Sequence, residues 1–219
     1  LELRNYTRIK KRNIMIKTIS SSFALTTLCF FALTSCSSNN EFLKASSNEL
    51  QIADDCRNTN KHLEMDCYDL ISYKNSFAQL RLGLNAQLRG DFEEAIQRLN
   101  IAKQKGNFYA NAALADIYKN GFGVAVNNDL AVKLLEDTKE IDPIAAYRLS
   151  FYYLDKNKVE DALELLNYAA INDVKAAQLE LSNLYLNGEF IERNTDKASY
   201  WQEQYEDTSA NFANKIYGI

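Results

Sequence analysis

Cysteine, histidine and clustered carboxylates are the residue types best suited to chemistry, and this 219-residue chain has few of them: four cysteines and one histidine. Cys36 closes the apolar run Phe23 to Leu33, and Cys29 lies inside that run. Cys56 and Cys67 stand eleven residues apart with His62 between them. That spacing is not Cys-x-x-Cys, and a single histidine leaves no four-ligand zinc set, so neither a redox pair nor a metal site is expected. The adjacent carboxylates Asp54-Asp55, Glu93-Glu94 and Glu206-Asp207 read as solvated or helix-capping groups. Gly-x-Ser-x-Gly, a Walker glycine loop and His-Glu-x-x-His are all absent from the sequence. The expectation is a chain with no catalytic residues and no cofactor, not an enzyme.

Leu33-Thr34-Ser35-Cys36 resembles the lipobox of bacterial lipoprotein signals, and the likeness covers residues 15–36. Lys17 supplies the positive region and Phe23 to Leu33 an apolar core of eleven residues, too short for the roughly 20 residues a membrane span needs. Met15 makes a compact start for such a signal, with residues 1–14 a basic extension irrelevant to the fold. The resemblance implies that residues 1–35 are removed and that Cys36 is lipidated. Ser37 after the cysteine points by the same resemblance to the periplasmic face of the outer membrane. Residues 36–50 are polar and read as a flexible tether.

Residues 1–35 hold six of the 25 Lys/Arg and one of the 29 acidic residues, so the remaining 184 residues carry a formal net charge of −9. Such a surface disfavours nucleic acid, which binds through Lys/Arg clusters. With Cys29 in the signal and Cys36 lipidated, Cys56 and Cys67 have only each other in an oxidising compartment. Their disulfide is expected to staple residues 51–75 to the domain that follows.

That domain, residues 76–219, repeats itself. Ala78, Ala110, Ala145 and Ala177 lie 32, 35 and 32 residues apart, each followed four residues on by Leu82, Leu114, Leu149 or Leu181. A second set, Ala95, Ala131, Ala162 and Ala198, follows the first at +17, +21, +17 and +21. Small and large apolar residues alternating with this period predict a four-unit helical solenoid. The units are of two kinds that differ by four residues in the turn. Helices are expected at roughly 70–88, 91–105, 109–119, 128–139, 143–154, 158–171, 174–187 and 195–207, with residues 208–219 a cap on the last unit.

Ala95, Leu99 and Ala102 after Leu82, Gly83 and Ala86, and Ala162, Leu166 and Ala169 after Leu149 and Tyr153, resemble tetratricopeptide repeats. Ala110, Leu114, Tyr118, Gly121, Gly123, Val124 and Ala131 resemble the Sel1-like repeat, as do Ala177, Leu181, Tyr185, Gly188, Ala198 and Trp201. Three positions depart from these patterns: Asn127 stands where Asp is usual, the turn after Gly188 lacks a second glycine, and Lys156 replaces a glycine. The resemblance implies an all-α, right-handed α-solenoid of antiparallel helix pairs, whose first helices line a concave groove. Carried over residue by residue, it implies a peptide-binding face made of Tyr109, Asp116, Lys119, Tyr147, Phe151 and Asn183. The expected function is a lipid-anchored scaffold that holds a protein or peptide partner in the cell envelope. The alternative is an assembly factor for cell wall or polymer export. A third reading, a hydrolase on helical repeats, requires a cleft with paired carboxylates.

Overall fold

Every element of the computed structural model, which describes residues 46–188 and 190–218, is an α-helix or a turn. The lipobox, Cys36 and the tether as far as residue 45 lie outside the described residues. Eleven helices follow in order: α1 (46–54), α2 (Lys61–Ile71), α3 (Ser76–Leu88), α4 (Phe92–Gln104), α5 (Ala110–Asn120), α6 (Asn128–Glu136), α7 (Pro143–Asp155), α8 (Val159–Ile171), α9 (Lys175–Asn187), α10 (Thr195–Glu206) and α11 (Phe212–Tyr217). Helices α3 to α10 pair in sequence as α3/α4, α5/α6, α7/α8 and α9/α10, the four units of an α-solenoid. None of the described helices is long and apolar enough to cross a membrane.

The alternation of alanine and leucine explains the pairing. Ala78, Leu82 and Ala86 of α3 and Ala95, Leu99 and Ala102 of α4 are all buried, and the same holds for Ala145 and Leu149 against Ala162, Leu166 and Ala169. Alanine lets helix axes approach to about 8–10 Å, and each leucine fills the space the alanines leave. Burying such a leucine contributes about 1.5–3 kcal/mol. In the last pair Trp201, three residues after Ala198, is the large buried residue of α10.

Helix starts are set by asparagine and aspartate. Asn60, Asn75, Asp91, Asn127, Asp142, Asn194 and Asn211 each accept a hydrogen bond from a backbone N–H in the first turn that follows. Pro143 occupies the first turn of α7, where no donor is missed.

The two turn types have distinct closures. In the long units the backbone N–H of Asn127 donates to Tyr118 O at 2.8 Å and that of Asn194 to Tyr185 O at 2.9 Å. Asn127 thus does the capping expected of Asp. Val124 and Ile191 tuck partly buried against the two halves of the core. Gly121 and Gly123 both take positive φ, and in the last unit Gly188 does so too, with Phe190 at φ +63° in place of the second glycine. In the short units the left-handed residue is Gly90 or Asn157, so the glycine substitution expected at Lys156 falls instead on Asn157, a residue that tolerates this conformation.

Three expectations need correcting at the ends. The helix expected over 70–88 is two helices, broken at Ser72 to Asn75 because Asn75 caps α3. The tether does not extend to residue 50: α1 starts at 46, and Glu49 caps the N-terminus of α3 by accepting from Ser76 N at 2.8 Å and Ser76 Oγ at 2.6 Å. A carboxylate there also meets the positive end of the helix dipole. Residues 208–218 do more than cover the last unit: α11 runs back along the repeats and packs against α3 of the first.

Candidate functional site

The disulfide Cys56–Cys67 forms, with Cα atoms 5.5 Å apart, and joins the end of α1 to α2. It holds a polar cluster in place. Arg81 of α3 is buried and donates to Asp54 Oδ1 at 2.6 Å and to the Tyr68 hydroxyl at 3.1 Å, while Tyr68 donates to Glu64 at 3.2 Å. Arg57 binds Asp54 from the other side at 2.8 Å. Burial disfavours the Asp54 carboxylate, but the hydrogen bonds and charges of Arg81 and Arg57 outweigh it and hold the carboxyl below its ordinary range. Asp54 is therefore an ion-pair partner and not a solvated group, contrary to expectation, whereas Glu94 pairs with Arg89 and Arg98 at the surface. His62 is exposed, and its backbone N–H donates to Asn60. Among the described residues no three His, Cys, Asp or Glu side chains cluster as metal ligands.

A groove of about 510 Å³ opens along the first helices α3, α5 and α7. Leu84, Leu88, Phe92, Ala113, Phe122 and Ile144 supply apolar walls, Gln87, Asp116 and Arg148 polar contacts, and Ala213 and Tyr217 of α11 the remaining wall. Phe122 stacks on Phe92 at 4.9 Å, so the long turn of the second unit shapes the groove's rim. Gln87 donates to Asp116 at 2.8 Å, and Arg148 donates to the Ala112 carbonyl. Leu88 projects at the groove's edge with 77% of its surface exposed. The groove has one carboxylate and no carboxylate pair, so the geometry a repeat-type hydrolase requires is missing from it.

Asp142 sits beneath α11. It is fully buried, caps α7 through Ile144 N at 2.9 Å, and accepts from the Tyr217 hydroxyl at 2.8 Å. Burial pushes its carboxyl up to about 6, against the hydrogen bonds of Tyr217, Ile144 and Ala145 and the charge of Arg148. Burial and the nearby Asp142 charge push the Tyr109 phenol up to about 12 and that of Tyr217 up as well.

The six residues expected to bind peptide do not form one patch. Asp116 lines the groove. Tyr109 lies under α11, its ring 6.0 Å from Phe212 and 6.1 Å from Tyr217, so the seated helix covers it. Lys119 is exposed above the Tyr152 ring. Tyr147 packs partly buried on the second half of the core and meets Phe151 edge-to-face at 5.1 Å. Asn183 is exposed on α9. The residues missed were Leu84, Gln87 and Leu88 of α3, Arg148, and above all Tyr217. The 77%-exposed Leu88 had a signal, an apolar residue at a helix end beside Arg89-Gly90.

A family model described as Sel1 repeat matches residues 108–136 and 175–203, which are the two long-turn units α5/α6 and α9/α10. The chain carries Sel1 repeats. Between and before the matched Sel1 units stand the two short-turn units, which keep the same alanine and leucine phase. Over 144 residues the chain is 28% identical to an exopolysaccharide production negative regulator of Rhizobium meliloti (strain 1021), covering 57% of this chain and 54% of that protein. It thus spans about half the length of this curated relative. Two crystal structures share the Sel1-repeat fold. A protective antigen of uropathogenic Escherichia coli displaying an SLR fold superposes with a TM-score of 0.56 and 23% identity over 73% of this chain and 38% of that one. A Sel1 repeat protein from Oxalobacter formigenes gives a TM-score of 0.61 and 24% identity over 68% and 64% of the two chains.

Proposed function

We propose that this Sel1-repeat protein is a non-enzymatic scaffold, lipid-anchored at Cys36 in the bacterial cell envelope on the periplasmic face of the outer membrane, which holds a protein or peptide partner in its concave groove. The observation that carries the reading is the groove itself: about 510 Å³, apolar on its walls, with Leu88 exposed at its edge and Gln87, Asp116 and Arg148 to set register. A short amphipathic segment lays one apolar face into such a groove. Asp116 is the one expected residue that faces this volume. An anchor at Cys36 with a tether up to residue 45 keeps a bound partner concentrated near the bilayer.

The test is a photo-crosslinking side chain at Leu88 in intact cells, with the same probe in a chain that also carries Leu84→Glu as control. Crosslinks to a defined envelope protein, lost when a glutamate is placed in the groove while helicity and melting stay unchanged, support the scaffold. An absence of crosslinks with the protein present and folded rejects it. A second reading, assembly factor for polymer export or cell wall, is favoured by the relative named for negative regulation of exopolysaccharide production. Binding to purified sacculi in preference to envelope protein extract would select it.

A further inference from the structure

The groove along α3, α5 and α7 already has a helix at its side, the chain's own. Helix α11 is six residues long, and its bonds reach across the repeats. Phe212 N donates to Asp173 O at 3.1 Å, between the third and fourth units. The Tyr217 hydroxyl lies 2.8 Å from Asp142 Oδ2 and 3.1 Å from Tyr109 O, at the entries of α7 and α5. At the far end Arg57 donates to Asn214 O at 2.5 Å and Arg81 to Lys215 O at 3.2 Å. Two guanidinium groups thus meet carbonyls of the last turn, the negative end of the helix dipole. Gly218 closes the helix at φ +77°, where a Cβ would stand 3.1 Å from Arg81 Nε.

The helix buries little of itself. Ile216 and Tyr217 are buried and Phe212 half-buried, whereas Asn214 and Lys215 face solvent and the link from 207 to 211 is largely exposed. Two buried side chains and a few hydrogen bonds hold the segment against the entropy lost in ordering all of it. Open volume adjoins it: the 510 Å³ groove along Ala213 and Tyr217, and a further 280 Å³ beyond its end, lined by Tyr68 and Gly218 and sharing Leu84, Leu88 and Tyr217 with the groove. The seat is therefore one stretch of a longer groove.

We propose that the seat of α11 is a recognition site for a short partner helix carrying the pattern Phe-x-x-x-Ile-Tyr, uncharged or basic, with its C-terminal carbonyls on Arg57 and Arg81, and that such a helix enters as α11 leaves. The proposal rests on the scaffold reading and states the chemistry of the partner. Asp142 and the Tyr109 carbonyl read the tyrosine hydroxyl. The Tyr109 ring reads both aromatic anchors. An acidic residue near the tyrosine meets the buried Asp142 and is excluded.

The probe is a fluorescent synthetic peptide of residues 208–218, titrated into the full chain and into Tyr217→Ser, which loosens the resident helix and leaves its seat intact. The tethered α11 competes at high effective concentration, so the peptide is expected to bind Tyr217→Ser at least about ten-fold more tightly than it binds the unmodified chain. A peptide with serine for its tyrosine is expected to bind neither. Equal affinity for both chains, or no binding to a variant whose helicity is intact, overturns the proposal. If Tyr217→Ser does not fold, hydrogen exchange on the unmodified chain decides. Amides of residues 212–217 exchanging well ahead of those of α3 and α7 support an exchangeable helix, and equal protection overturns it. Crosslinking at Leu88 without peptide binding removes this inference and leaves the scaffold standing; peptide binding without crosslinking supports the seat and rejects the scaffold.

Discussion

Replacing Asp142 by asparagine is expected to make the protein more stable at neutral pH, by an amount that vanishes in acid. The carboxyl is fully buried and titrates near 6 in the native state against 3.8 in a solvated chain. Each unit of that difference is worth about 1.4 kcal/mol, so the native state bears about 3 kcal/mol for keeping the group ionised above pH 6. The sign follows from the raised value: stability associated with Asp142 is complete below about pH 4, where both states are protonated, and is lost as pH rises through about 6. Asparagine caps a helix as well as aspartate, so the bond from Ile144 N persists. Its amide donates to the Tyr217 oxygen, which then gives its proton to Tyr109 O, already 3.1 Å away. Urea unfolding of both chains from pH 3.5 to 8 is expected to show Asp142→Asn about 1–3 kcal/mol more stable at pH 7 and equal to the parent at pH 3.5. Taking the difference between the chains removes the opposite slope of Asp54, Glu64 and Glu136, whose lowered values withdraw stability in acid. A variant less stable at pH 7, or a difference that does not change with pH, refutes the assignment of Asp142 as a buried, costly anion.

Cys56→Ser with Cys67→Ser is expected to lower stability by about 3 kcal/mol under oxidising conditions and to change nothing in strong reductant, read by denaturant midpoint. Phe190→Gly relieves a left-handed φ of +63° on a bulky residue and is expected to add about 1 kcal/mol to stability, seen as a raised melting temperature. Leu149→Ala, which empties a fully buried site between α7 and α8, is expected to cost about 2–5 kcal/mol. Cys36→Ala is expected to release the protein from membranes into the soluble fraction, and retention in the pellet would place the anchor elsewhere.

The solenoid was readable because its signal is local and repeated. Ala78 and Leu82 recur as Ala110 and Leu114, Ala145 and Leu149, and Ala177 and Leu181, and four repetitions define helices, pairing and turn classes together. The groove was less readable. Of the positions carried over by resemblance, Asp116 lines the groove and Tyr109 lies beneath α11, because whether a tyrosine faces solvent depends on what packs above it. Arg81 of α3 is buried and bonded to Tyr68, Asp54 and Lys215, residues 13, 27 and 134 positions away, a meeting no local pattern announces.

The amino-acid sequence by itself determined the helix pairs of the repeats and their phase, since each depends on residues within one unit or its neighbour. It also narrowed the chemistry, with one histidine and no catalytic motif. Only the tertiary structure decided that α11 packs back on α3, that Asp142 is buried beneath Tyr217, and that Arg57 and Arg81 meet the end of that helix. The physical reason is range. Repeat pairing is set by contacts about 20 residues apart, whereas the seat of α11 is assembled from groups up to 158 residues apart, and no periodicity in the chain encodes that meeting.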